Sequence, residues 1–337
     1  GATSVTATPP ADEVLSTLRA FQRRTARYAF SRLFHPEAPS VRFLVADEVG
    51  LGKTLVARGV IAQVVDHLSG LGDKRVDIVY ICSNAAIARQ NLRKLNIAGD
   101  DAIVEADRFT MLTNEVHRLE KRSLNLVAVT PGTSLEFGSS AGKFPERALL
   151  YEVLQRVWGE DAMRGSGAER VFYLGISDDK NARRRLRDKA AQMRPSSSVI
   201  AAFRQQIRRL NEQRRLDGRP TLKVEFNRLA RTFYYKDDYT PKDREQRNRF
   251  IVELRQALAT VGIEALQPDL VILDEFQRFR SLLDRTNQSW ATRLAHELFD
   301  YREPSAGRPT RTLLLSATPY RPYTTTDDAE GDNHFED

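Results

Sequence analysis

One stretch limits what this 337-residue chain can fold into more than any other: a short apolar run, a glycine-bearing turn and a helical pattern. Residues 43–46 are all apolar and are predicted to form a buried strand, and residues 47–52 supply the turn. Apolar residues then recur at helical spacing over residues 55–68. A strand, a glycine turn, Gly-Lys-Thr and a helix form the arrangement that brings backbone N–H groups together around a polyphosphate. The sequence therefore predicts a phosphate-binding loop.

The predicted loop residues suit a nucleoside triphosphate with its magnesium ion. Glycine has no Cβ, so the chain can approach phosphate closely. The lysine would reach the β- and γ-phosphates, and the threonine hydroxyl would hold Mg²⁺. The residues predicted to bind ATP and Mg²⁺ here are Gly50, Leu51, Gly52, Lys53 and Thr54.

Gln22 lies about 30 residues before the loop, on a predicted helix over residues 13–33. Its amide offers one donor group and one acceptor, which is what the edge of adenine requires. Glutamine is also common on helix surfaces. Adenine recognition and an ordinary surface role are therefore the two interpretations of Gln22.

A second apolar strand, residues 268–274, ends in two adjacent carboxylates, Asp274 and Glu275. Ligands of α/β sheets bind beyond the carboxyl ends of the strands, so this pair and the loop are expected at one edge. Asp274 would hold Mg²⁺, and Glu275 would orient or deprotonate the attacking water. The alternative is a helix N-cap followed by a first-turn acid. The phosphate loop favours the hydrolytic interpretation.

Strands alternate with helices through two parts of the chain, which predicts a mostly parallel α/β sheet covered on both faces. Further strands are expected at residues 76–82, 102–104, 126–129 and 312–315. The alternation stops between residues 136 and 265. The predicted divisions are an N-terminal lead and helix (1–35), a sheet domain (36–135 with 266–323), a helical insertion (136–265) and an acidic linker (324–337).

Basic residues are concentrated in the predicted insertion. Residues 181–250 hold 20 lysines and arginines against 8 acids, a balance of +12 in a chain of net charge +7. Arg204, Arg208 and Arg215 flank a narrow apolar stripe on a predicted helix over residues 199–215, together with Arg209 and Arg214. These arginines suit contact with a nucleic-acid backbone, a solvated helix face, or a protein partner.

The remaining composition predicts a cytoplasmic protein. Cys82 is the only cysteine, which excludes an intrachain disulfide. The five histidines are scattered, so no structural metal is predicted. No run approaches the 18 or so apolar residues needed to span a bilayer, and no membrane association is expected.

Three segments resemble motifs of the superfamily 2 helicases: Ala46-Asp-Glu-Val-Gly-Leu-Gly-Lys-Thr54, Asp274-Glu-Phe-Gln277 and Ser316-Ala-Thr318. The first is closest to the Swi/Snf-type DNA translocases, in which Asp47 can stand where the general loop pattern has glycine. Phe21-Gln22 resembles their adenine-reading motif. Gln277 replaces the last residue of the usual DEAD or DEAH box. The resemblance covers residues 15–135 and 266–320 and implies a RecA-like P-loop motor domain.

The resemblance also implies roles for further residues. Gln277 would couple the bound nucleotide to the other motifs, and Ser316 and Thr318 would transmit its state. Ser83 and Asn84, with Thr130, Gly132 and Thr133, fall where such motors contact the nucleic-acid backbone.

Motors of this kind close over ATP with a second RecA-like domain, and 19 residues follow Thr318. We therefore expect this chain to belong with such a domain and, by itself, to bind Mg·ATP but hydrolyse it slowly.

The expected function is ATP-driven translocation or strand separation on nucleic acid, DNA more than RNA. A nucleotide-switched scaffold that recruits protein partners is the alternative from another class. A small-molecule kinase is disfavoured, because it leaves Ser316-Ala-Thr318 and the segment after Thr130 without a role.

Overall fold

The computed structural model describes most of the chain. The described residues are 8–46, 52–99, 102–104, 108–135, 140–175, 181–235, 239–284, 286, 289–304 and 307–316. Three predicted site residues, Gly50, Leu51 and Thr318, lie outside these ranges, as does the predicted linker 324–337. Within them, no helix has both the length and the apolar character needed to cross a membrane.

The described strands form one six-stranded sheet in which every pairing is parallel. In chain order they are β1 Arg42–Ala46, β2 Val76–Ile81, β3 Ile103–Val104, β4 Leu124–Val129, β5 Leu270–Asp274 and β6 Arg311–Ser316. Across the sheet the order is β1-β6-β5-β2-β4-β3. The prediction of an α/β fold with a parallel sheet between helices is confirmed.

Helices cover both faces because successive strand residues point to opposite sides. In β2, Ile78 and Tyr80 belong to one apolar core, whereas Val79 and Ile81 belong to another. The first core includes residues of α1 Ala11–Ser16, α2 Ala20–Leu33, α3 Lys53–Gly70 and α4 Ala85–Leu95. The second includes residues of α5 Phe109–Leu112, α6 Val116–Leu119, α14 Pro241–Leu266, α15 Arg280–Leu283 and α16 Trp290–Phe299.

A third apolar core lies among helices of the predicted insertion. The described residues between 140 and 265 are helical with connecting turns. A short helix, α7 Pro131–Ser134, follows β4 directly. The helices after it are α8 Phe144–Trp158, α9 Glu160–Met163, α10 Ser166–Tyr173, α11 Ala182–Ala191, α12 Ser197–Leu216 and α13 Leu222–Tyr235.

The 26-residue helix α14 joins this helical cluster to the sheet. Leu258 packs in the helical core, whereas Ala259 and Ile263 pack in the core that covers the sheet. Gly262 permits a close crossing with α5, because a Cβ there would lie 2.1 Å from the carbonyl oxygen of Phe109. The insertion and the sheet therefore share one continuous helix.

A buried ion pair lies at the same junction. Glu146 of α8 accepts hydrogen bonds from Arg255 of α14 (Nη2–Oε1, 3.1 Å) and from the Thr110 hydroxyl of α5 (2.8 Å). Arg108, at the start of α5, lies 3.3 Å from the same carboxylate. A buried charge needs such partners, so these contacts fix how α5, α8 and α14 meet.

Two details of the sequence-based helices are wrong. The predicted helix over residues 13–33 is two helices, because Arg19 has extended backbone and separates α1 from α2. The Gln22 side chain accepts a hydrogen bond from the Arg19 backbone N–H (3.1 Å) and so helps to start α2. Within the predicted insertion helix, Arg214 does not join the surface arginines, because it is buried against Glu225 and Glu253.

Candidate functional site

The predicted motifs follow neighbouring strands at the carboxyl edge of the sheet. Ala46 at the end of β1 pairs with Ser316 at the end of β6, and Asp274 at the end of β5 pairs with Leu315. Adjacent strands lie about 4.8 Å apart, so the ends of β1 and β5 are about 10 Å from each other. Segments 83–84 and 130–133 follow β2 and β4 at this same edge.

The described part of the phosphate-binding loop begins at Gly52, which precedes α3. Its φ of +84° is left-handed, a conformation that glycine adopts without strain. A Cβ at this position would lie 2.6 Å from the amide nitrogen of Gln22. The backbone N–H groups of Leu55 and Val56 bond to the Gly52 carbonyl, at 2.8 and 3.1 Å. Gly52 therefore directs the N-terminus of α3, with its positive end of the helix dipole, to the carboxyl edge.

Lys53 and Thr54 form the first turn of this helix, and both are half-buried. Backbone N–H groups of a first helical turn, an ammonium and a hydroxyl are the groups that a polyphosphate with a divalent cation requires. The glycine cradle and this donor set fit Mg·ATP.

Gln22 lies directly beside Gly52, as its predicted role requires. Only 4% of its surface is exposed, and its carbonyl oxygen accepts the Arg19 bond that starts α2. The structure brings Gln22 to the loop, while adenine recognition stays a prediction.

Asp274 is held by a hydrogen-bonded chain that reaches α4. The Tyr80 hydroxyl of β2 donates to Asp274 Oδ2, and the Asn91 amide of α4 donates to the Tyr80 oxygen at 2.9 Å. Burial, reinforced by the Asp274 charge, raises the pKa of Tyr80, so the phenol remains a donor. Tyr80 thus orients one oxygen of Asp274, and the role of this carboxylate in holding Mg²⁺ stays a prediction.

Glu275 forms its ion pair within the following 3₁₀ turn, Phe276–Phe279. Its Oε2 lies 3.0 Å from Arg278 Nε, and Arg278 Nη1 lies 3.5 Å from the Ser83 hydroxyl. The φ of Glu275 is +53°, in the left-handed region. For a residue with a Cβ this conformation costs about 1–2 kcal/mol. Such strain is concentrated at functional sites, and it turns the chain so that Asp274 and Glu275 contact different partners.

Gln277 holds a buried carbonyl oxygen that has no hydrogen-bond partner within the described ranges. An unpaired buried acceptor is costly, and the coupling role of Gln277 stays a prediction. Ser316, also buried, lies between the strands that carry the two predicted nucleotide-binding motifs.

The predicted nucleic-acid contacts after β2 and β4 divide into exposed and structural groups. Ser83 is exposed. The side-chain oxygen of Asn84, Oδ1, caps α4 by accepting from the backbone N–H groups of Ala86 (2.8 Å) and Ile87 (3.1 Å). Thr130 is buried at the N-cap position of α7, and Gly132 is exposed. Thr133 belongs to the same helix. Ser83, Asn84 and Gly132 are thus exposed, while Asn84 Oδ1 also caps α4 and Thr130 is buried.

The predicted arginines Arg204, Arg208 and Arg215 are exposed on α12. Arg204 also donates to the Arg156 carbonyl oxygen at 3.4 Å. Their helix packs against α8 and α14 in the helical cluster, not on the sheet. The structure therefore does not bring these arginines together with Asp274 and Lys53.

A cavity of about 290 Å³ lies at the opposite, amino edge of the sheet. Its lining includes Phe34, His67, Asp269, Arg308 and Arg311. Asp269 and Arg311 stand at the starts of β5 and β6, so the cavity is separated from the predicted site by the length of those strands.

Three residues of the carboxyl edge were missed in the sequence: Tyr80, Asn91 and Arg278. Tyr80 carries the only hydroxyl in the otherwise apolar run of residues 78–82. Asn91 is a polar residue on the half-buried side of α4. Arg278 stands three residues after Glu275. Because residues at this spacing face each other in a helical turn, the sequence could have indicated this ion pair.

Comparisons with protein-family models, curated proteins and solved structures found no match to this chain.

Proposed function

We propose that this chain is a RecA-like P-loop motor domain of the superfamily 2 type, which binds Mg·ATP and couples hydrolysis to movement on nucleic acid. One observation carries the proposal. The glycine-bearing start of α3 and the two carboxylates that end β5 lie at one edge of a parallel sheet, with Ser316 between them. A triphosphate at α3 would have its terminal phosphate within reach of those carboxylates.

Each residue has a defined task in this mechanism. Thr54 and one oxygen of Asp274 would hold Mg²⁺, which when bound neutralises charge on the β- and γ-phosphates. Tyr80 fixes the other Asp274 oxygen. Lys53 would neutralise further phosphate charge, and Glu275 would accept the proton of the water that attacks the γ-phosphorus. The bond to the bridging oxygen then breaks, and ADP leaves with the electron pair.

Nucleic acid would bind along the same edge through exposed backbone-contacting positions such as Ser83 and Gly132. The arginines of α12 would supply a second, electrostatic contact that is independent of sequence. DNA is the preferred nucleic acid in this proposal, and the cytoplasm is the compartment. A second RecA-like domain would complete the nucleotide site, and the insertion surface would also accept protein partners.

Calorimetric titration with Mg·ATP, followed by single-turnover hydrolysis, tests the nucleotide-binding part. The wild-type chain should bind ATP and hydrolyse it slowly. Lys53→Ala should weaken binding by at least about tenfold through loss of a charged phosphate contact. Arg249→Gln, in an exposed ion pair of α14, serves as the control and should bind like the wild type. Failure of the wild type to bind ATP would refute the proposal.

The nucleic-acid part is tested by binding and ATPase measurements with single-stranded and duplex DNA and RNA. Binding should weaken steeply between about 50 and 200 mM salt, and replacing Arg204, Arg208 and Arg215 together with glutamate should remove much of it. Salt-insensitive binding would exclude the α12 contact. Nucleotide-dependent protein binding without any stimulation by nucleic acid would instead identify a switched scaffold.

A further inference from the structure

Arg278 connects the predicted catalytic carboxylate to the predicted nucleic-acid segment. Its guanidinium lies 3.0 Å from Glu275 Oε2 through Nε and 3.5 Å from the Ser83 hydroxyl through Nη1. Ser83 lies two residues after the end of β2, and Glu275 directly follows β5, the strand beside it. One side chain therefore spans the two neighbouring strand ends.

The Glu275–Arg278 pair is suited to exchange. The side chain of Arg278 is 61% exposed and that of Glu275 is 38% exposed, so water screens their attraction. A phosphodiester oxygen binds guanidinium through strong, charge-assisted hydrogen bonds, often two at once. Phosphate at Ser83 can therefore compete with the carboxylate for Arg278.

Exchange of Arg278 would change what Glu275 can do. A carboxylate oxygen that accepts a hydrogen bond from guanidinium is less available to accept a proton from water. When the guanidinium moves to phosphate, that oxygen is released.

Resting on the proposed function, we propose that Arg278 is a positioning residue that restrains Glu275 until a nucleic-acid phosphate bound at Ser83 takes its guanidinium. Nucleic acid then stimulates hydrolysis by releasing the water-activating carboxylate. The recognised chemical group is the backbone phosphodiester, so stimulation is independent of base sequence.

The test measures ATP turnover of Arg278→Gln and Arg278→Lys with and without DNA or RNA of mixed sequence. Arg278→Gln should raise turnover without nucleic acid by about twofold to fivefold, because the restraint is lost. For this variant, the ratio of turnover with nucleic acid to turnover without it should fall toward one. The KM for ATP should stay unchanged. Arg278→Lys retains a cation that can exchange, so it should recover part of the stimulation.

Arg118→Gln is the matched control. Arg118 is also 61% exposed and pairs with an acid three residues earlier, Glu115, at 2.9 Å. Its loss should change neither basal turnover nor stimulation. Adding Glu275→Gln to Arg278→Gln should abolish the raised basal rate, because the released group is then absent.

Two results separate failure of this inference from failure of the proposed function. A wild-type chain that neither binds nor hydrolyses ATP refutes the proposed function and the inference with it. A wild-type chain that is stimulated by nucleic acid, with Arg278→Gln showing the same basal rate and the same stimulation, refutes the inference alone. Lower turnover of Arg278→Gln in both conditions would also refute it, since Arg278 would then assist hydrolysis directly.

Discussion

Strand β5 has an acidic residue at each of its ends, and the two differ in environment. Asp269 precedes the strand at the amino edge and accepts a hydrogen bond from the Asp77 backbone N–H at 2.9 Å. Burial raises the pKa of Asp269 to about 6 and also raises that of Asp77. Asp274 ends the strand at the carboxyl edge and is half-buried, next to the strained backbone of Glu275.

The contacts of the amino edge are structural. Arg75 bonds to Asp77 Oδ2 at 2.6 Å and donates to the carbonyl oxygens of Ala265 and Leu266, at the end of α14. Asn125 donates to the other Asp77 oxygen at 2.7 Å. These bonds hold helix and strand ends together. At the amino edge, the raised pKa values and the nearby cavity therefore reflect burial. At the carboxyl edge, strand topology, backbone strain and accessible carboxylates indicate the predicted site.

Replacing Glu275 with glutamine should have the largest effect on activity. Glutamine keeps the shape but cannot accept the proton of water, so hydrolysis should fall by about 10²–10⁴-fold. ATP affinity should stay within about twofold, since Lys53 and the helix N-terminus are unchanged. Single-turnover hydrolysis and calorimetry measure the two quantities. Turnover that survives the substitution would remove the chemical role of Glu275.

Asp77→Ala is the corresponding change at the amino edge, and it should act on stability. It takes one acceptor from Arg75 and one from Asn125, which costs about 1–3 kcal/mol of unfolding free energy. Urea denaturation measures the loss, and turnover per folded molecule should be unchanged. Asp77→Asn, which keeps an acceptor oxygen, should lose less. If Asp77→Ala kept full stability but lost turnover, the chemistry would belong to the amino edge, and our placement of the site at the carboxyl edge would be wrong.

The sequence was sufficient to predict at which strand ends the candidate site residues lie. An apolar run followed by Gly-Lys-Thr or by two acids is a pattern of neighbouring residues, so it is visible without the fold. The role of Arg214 could not be predicted this way. Its burial depends on Glu225 and Glu253, which come from two other helices. The Tyr80–Asp274 bond and the left-handed backbone of Glu275 are likewise tertiary features, with no local pattern to indicate them.

The pH dependence of the unfolding free energy should reveal the raised pKa of Asp269. Its folded pKa of about 6 lies above the usual 3.8, because desolvation favours the neutral carboxyl more than Arg308 and Arg75 oppose it. The folded state therefore binds its proton more tightly than the unfolded state. This contribution to the unfolding free energy is complete below about pH 4 and decreases as the pH rises to about 6, by at most about 3 kcal/mol.

Asp269→Asn isolates that contribution, because an amide accepts the Asp77 bond but does not titrate near neutral pH. The difference in unfolding free energy between wild type and variant should shift in favour of the variant between about pH 4 and 6, then remain constant. Urea denaturation at several pH values measures this. A difference independent of pH would show that Asp269 titrates normally in the folded protein.

The smallest effect should come from the backbone of Glu275. Alanine and glycine at this position both remove the carboxylate, so a comparison of the two isolates conformation. Glycine loses about 0.4–1 kcal/mol through its more flexible unfolded state, but alanine retains about 1–2 kcal/mol of left-handed strain. Glu275→Gly should therefore exceed Glu275→Ala in stability by about 0.5–1 kcal/mol, or a rise of about 1 °C in Tm. The opposite order would show that residue 275 is not left-handed in solution. With the expected order, a strained glutamate stands where glycine is more stable. The ion pair of its carboxylate with Arg278 is largely exposed, so the proposed chemical role at the carboxyl edge would account for that cost, in contrast with the acids that stabilise the amino edge.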